Sequence, residues 1–127
     1  EIVSDYEKYA SKEGIRDLLV AAEAKGRLFD NINNTGSRAF VPQIVDLCRL
    51  HALIRQNHSF TVLEFGVGYS TIVIADALAK NESDFYALTD KPDLHPLNKF
   101  RLFCVDTNKT WIRSRYGFTS YDFYWFQ

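Results

Sequence analysis

Up to about residue 57 the apolar positions recur with helical spacing; beyond it they gather into short runs separated by helical stretches. Ser4-Asp-Tyr-Glu7 has the form of a capping box, in which a hydroxyl and a carboxylate satisfy free amides at a helix start. Ile15, Leu18, Leu19 and Ala22 form one stripe of a helix over residues 15–25, and Gly26 suits the position just past its end. The run from Asp30 to Ser37 is turn chemistry, so a loop is expected there. Pro42 fits a first helical turn, and Ile44, Leu47, Cys48 and Ile54 carry a further helical stripe to about Gln56.

In the second half, Phe60 to Phe65 reads as a buried strand and Arg101 to Val105 as another. Between them, Ser70 to Lys80 reads as a helix with Ile72, Ala75, Leu78 and Ala79 facing inward. Residues 81–99, with Pro92 and Pro96, follow neither period. A helix is expected over 109–115 and a third strand over 121–126. Strands alternating with helices pair in parallel, because a crossover helix returns the chain to the same end of the sheet. The expectation is an α/β chain with a helical segment over 1–57 and a strand-and-helix domain over 58–127.

Composition adds little to this picture but narrows the partners. The chain has 127 residues, 46% hydrophobic, 15% aromatic and 24% charged, which suits one globular domain. Its net charge of -1 provides no positive field for a nucleic-acid backbone. No apolar run approaches the roughly 18 residues that span a bilayer, and the N-terminus has no signal-peptide core, so a soluble chain is expected; two unpaired cysteines make a reducing cytoplasm the expected setting. Cys48 and Cys104 lie apart within apolar patterns and read as buried free thiols. His51, His58 and His95 have no metal-ligand spacing, so no metal is expected. A chain that begins at Glu1 and contains no methionine reads as part of a longer sequence.

The chemistry concentrates in Thr61-Val-Leu-Glu-Phe-Gly-Val-Gly-Tyr-Ser-Thr71. A strand delivers the Glu64 carboxylate to the sheet edge, Gly66 and Gly68 allow a sharp turn and close approach of a ligand, and Ser70 or Thr71 can cap the next helix. The later strand also ends on an acid, Asp106, placed to accept hydrogen bonds from ribose hydroxyls. The bland alternatives are an ordinary strand-to-helix turn, a solvated strand end for Glu64 and a helix cap for Asp106. Arg38, Phe40 and Gln43 either line the crevice or belong to the surface and a helix start. The aromatic tail from Tyr116 to Phe126 suits stacking on a ring or, more simply, a covered strand.

With Glu64-Phe-Gly66-Val-Gly68 after one strand and Asp106 ending the next, the chain resembles the class I S-adenosylmethionine-dependent methyltransferases. The match is specific over about Thr61 to Thr71 and weaker over Arg101 to Trp111. It implies a Rossmann-like fold, here with about three strands, and S-adenosylmethionine as cofactor. It also implies that Gly66 and Gly68 pack against the methionine part, Glu64 lies near the amino group and Asp106 holds the ribose. Tyr69 and Ser70 would border the cofactor, and Thr107 and Asn108 would lie beside the adenosine. The cofactor's sulfonium and amino groups are cationic, which suits a carboxylate at the loop mouth.

A dinucleotide-dependent oxidoreductase using the same loop for NAD is the alternative. Against it, Thr71 stands where that fingerprint wants a small residue, and Asp106 lies far beyond the roughly 20 residues expected for its ribose acid. A noncatalytic interaction domain keeping the loop is a third reading. Cofactor residues do not name the methyl acceptor, and no catalytic residue is assigned. Half a doubly wound sheet leaves apolar surface that further sequence or another chain, such as a second copy in a homo-oligomer, would have to cover.

Overall fold

The computed structural model describes residues 5–21, 43–94, 99–107 and 121–125, the last group by its backbone alone. It is a mixed α/β chain with a small parallel sheet. Its contacts divide it into Glu1–Leu50 and His51–Gln127, so the division falls within one helix.

In the first unit, α1 spans Tyr6–Glu13. Its N-cap is Asp5, whose carboxylate accepts the Lys8 amide at 3.1 Å. The cap expected from Ser4 therefore moves by one residue: a carboxylate three positions before the Lys8 amide is an equally good acceptor. At the other end Gly14 sits at φ 70, and the bonds Gly14 N to Ser11 O and Ile15 N to Ala10 O close a Schellman turn. A second helix, α2, follows at once over residues 16–21 of the described chain, with Ile15 and Leu19 buried and Leu18 half-buried. Gln43 opens α3, Ile44–Gln56, its carbonyl accepting the Leu47 amide. Leu47 and Cys48 are buried, and the Cys48 thiol, raised by burial, points to the Tyr6 carbonyl.

In the second unit, α3 ends in another Schellman turn, His58 N to Arg55 O and Ser59 N to Ile54 O. The residue that takes the left-handed position there is His58, at φ 49, which has no glycine's freedom. Strand β1 is Thr61–Phe65, α4 is Tyr69–Tyr86, β2 is Arg101–Asp106, and the β3 backbone, Tyr121–Trp125, runs parallel beside β2. β1 and β2 pair in parallel with Val62 opposite Leu102 and Glu64 opposite Cys104.

β1 corrects an expectation. Its residues alternate between exposed and half-buried, with Leu63 57% and Phe65 79% exposed, so Phe60 to Phe65 is not a strand buried on both faces. One face carries Val62, Glu64, Leu102 and Cys104, of which Leu102 and Cys104 are fully buried; the other carries Leu63 and Phe65. Among the described residues, helix cover reaches one face only.

Helix α4 is longer than Ser70 to Lys80, taking in Asn81 to Tyr86, and its buried positions are Thr71, Val73, Ile74, Ala75, Ala77, Leu78 and Asn81. Ala79, expected inside, is exposed, and Ile72 is half-buried. A polar side of α4 meets the C-terminal half of α3. His51 Nε2 lies 2.7 Å from Asp76 Oδ2, and Arg55 donates to Asn81 Oδ1 at 2.7 Å and Asp84 Oδ2 at 2.8 Å. Asn81 Nδ2 in turn donates to the carbonyls of Ile54 and Ser59, both at 3.0 Å. The helix start of the unassigned region is thus held by a buried amide. Phe60 meets Phe85 and Phe100 edge to face where the strands begin, the latter at 5.8 Å and 90°, while Phe85 and Phe100 stand tilted at 54°. Residues 109–115, expected helical, and the side chains of the aromatic tail lie outside the described residues. No helix among the described residues is long and apolar enough to cross a membrane.

Candidate functional site

The predicted site residues that are described meet where β1 and β2 end and α4 begins. Gly66 turns the chain at φ 93, a backbone state that strongly favours glycine. Its amide extends the ladder to the Val105 carbonyl at 2.7 Å. The Val67 amide donates to Asp106 Oδ2 at 2.7 Å. The Gly68 amide donates to Thr71 Oγ1 at 3.0 Å. Each amide of the loop is therefore engaged from within the protein.

Glu64 lies on the face of β1 that α4 covers. Ser70 donates to its Oε1, and Thr71 to its Oε2 at 2.7 Å. The Cys104 thiol lies 3.5 Å from the same Oε2. Burial, then the negative charge and hydrogen bond of Glu64, push that thiol up to about 12. At neutral pH it is a donor, not a nucleophile. Both Cys48 and Cys104 are free and buried, as their apolar surroundings suggested.

Gly68 has extended backbone at φ -163, and a Cβ placed there meets nothing within 4 Å. Neither backbone nor described neighbours require a glycine at this position. What the missing side chain leaves is open approach to the loop at the first turn of α4. Tyr69 and Ser70, half-buried, begin the helix beside it, Thr107 is exposed just past Asp106, and Asn108 lies outside the described residues.

Thr71, 1% exposed, accepts the Gly68 amide at the start of α4, in line with the cap expected of Ser70 or Thr71, and its hydroxyl further joins that amide to Glu64, a link the sequence does not announce. Cys104 is the buried free thiol expected, and its contact with Glu64, unforeseen, follows from its place opposite Glu64 in the strand register. Of the three histidines, His51 is fully buried against Asp76, His58 is the exposed turn residue, and His95 lies outside the described residues. A separate cavity of about 190 Å³ opens within the first unit, lined by Tyr6, Glu7, Arg16, Leu19 and Ile44 among others, and holds none of the predicted site residues.

No protein-family model matches this sequence, and comparisons with curated proteins and with solved structures likewise find no match. The functional reading therefore stands on the geometry of the loop.

Proposed function

We propose that this chain carries the S-adenosylmethionine-binding part of a Rossmann-like class I methyltransferase. The observation that carries the reading is the engagement of the loop amides at Gly66, Val67 and Gly68 by Val105, Asp106 and Thr71. A dinucleotide loop offers its amides to a pyrophosphate. Here those donors are taken, and the side chains taking or backing them include two carboxylates, which repel a phosphate. S-adenosylmethionine has no phosphate and brings a sulfonium and an ammonium. It suits a loop that is open at Gly68 and bordered by Glu64 and Asp106.

Such a site contributes to methyl transfer chiefly by holding the donor in line with an acceptor, since displacement at a sulfonium needs position more than covalent help. The test is calorimetric titration with S-adenosylhomocysteine and, separately, with NAD. Heat with the first and none with NAD is expected. Heat with NAD alone would make the loop an oxidoreductase module. Heat with neither would leave a noncatalytic interaction domain, the reading that the exposed Leu63 and Phe65 favour.

A further inference from the structure

We propose that Glu64 is a positioning residue, which sets the glycine loop through Thr71, and not a direct contact to the ligand's cationic groups. The ligand half of its test rests on the S-adenosylmethionine reading; the other half does not. Glu64 receives Ser70 and Thr71 from α4 and Cys104 from β2, so its carboxylate joins all three elements at the point where the loop leaves the sheet. The strand register directs it to the face that holds fully buried Cys104.

Thr71 completes the connection. Its hydroxyl proton goes to Glu64 Oε2, which turns an oxygen lone pair toward the Gly68 amide at 3.0 Å. A carboxylate fixes the direction of this hydroxyl because an ionised acid only accepts. The negative charge therefore polarises the hydroxyl as an acceptor, and the amide bond to it strengthens. Asp106 does the same for Val67 without an intermediary. One acid from each strand thus sets one amide of the turn. Glu64 acts on a ligand by fixing where Gly68 stands, and a ligand without any cationic group feels its loss as fully as one with two.

That consequence separates the alternatives. Affinities of the wild type, Glu64→Gln, Thr71→Val, Thr71→Ser and Ser70→Ala are measured for S-adenosylmethionine, S-adenosylhomocysteine and adenosine, which has neither ammonium nor sulfonium. Glu64→Gln is expected to weaken all three by a common factor. Thr71→Val is expected to reproduce that pattern, Thr71→Ser to restore binding, and the milder Ser70→Ala to give a smaller uniform loss. Loss confined to the two amino-acid-bearing ligands, with adenosine unchanged, overturns the proposal. In parallel, hydrogen exchange at the Gly68 amide is expected to rise about tenfold in Glu64→Gln and Thr71→Val, with the later turns of α4 unchanged. Unchanged exchange overturns the proposal even where no adenosyl ligand binds the wild type, an outcome that would separately remove the methyltransferase reading.

Discussion

Asp106 Oδ2 holds the Val67 amide at 2.7 Å across 39 positions of sequence. The bond ties the end of β2 to the middle of the glycine loop, so the acid that the sequence offers for a ribose also has a duty to the protein. A hydrogen bond to a charged acceptor contributes about 1.5–3 kcal/mol. Asp106→Ala is expected to lower stability by about that amount, and Asp106→Asn, which keeps an acceptor oxygen, by less. Urea unfolding of the two variants checks the order.

The two glycines are expected to part company. Gly66, at φ 93, cannot take a side chain without strain, so Gly66→Ala should cost about 1 kcal/mol or more. Gly68, extended and with open space where a Cβ would stand, should accept alanine within about 0.5 kcal/mol. Equal losses in denaturant midpoint would contradict the geometry at Gly68.

Asp76 gives the fold an acid-sensitive element. Burial by itself raises its carboxyl, but hydrogen bonds from His51 and Lys80, at 2.7 and 2.5 Å, and their charges hold it below its ordinary 3.8. A depressed folded value means that the stabilisation is complete above the unfolded value and disappears as pH falls through the folded one. Stability should therefore decline below about pH 4, and Asp76→Asn should flatten that part of the curve while lowering the plateau at neutral pH. Thermal melts across the acid range provide the measurement.

The two Schellman turns make a matched pair. Gly14 and His58 occupy the same left-handed position, at φ 70 and 49. Left-handed backbone costs a side-chain-bearing residue about 1–2 kcal/mol, partly offset by glycine's greater freedom in the unfolded chain. His58→Gly is expected to raise stability by up to about 1 kcal/mol and Gly14→Ala to lower it by a similar amount. Midpoints that move in the opposite directions would refute the cap assignment.

How much of this was legible depended on the range of the interaction. The change from helical spacing to a short apolar run located β1, and the acids at Glu64 and Asp106 announced the strand ends. Thr71 was legible as a helix cap, but its bond to Glu64 was not, because that contact exists only once the turn is made. Asn81 was unreadable for the same reason: both carbonyls it holds, at Ile54 and Ser59, lie more than twenty positions away. The reading of Phe60 to Phe65 as buried failed on a different ground. A continuous apolar run presumes that both faces of a parallel strand are covered, and β1 has Leu63 and Phe65 turned outward.

That outward face bears on how the protein behaves at high concentration. Among the described residues β1 stands at one end of the strand order, so an outer edge and two large apolar side chains lie on the same five residues. An edge strand of this kind templates pairing with other chains. The strand that carries the site's first acid is therefore also the segment from which self-association would spread, and a single lysine at Leu63 would act on that tendency without touching the face where Glu64 stands.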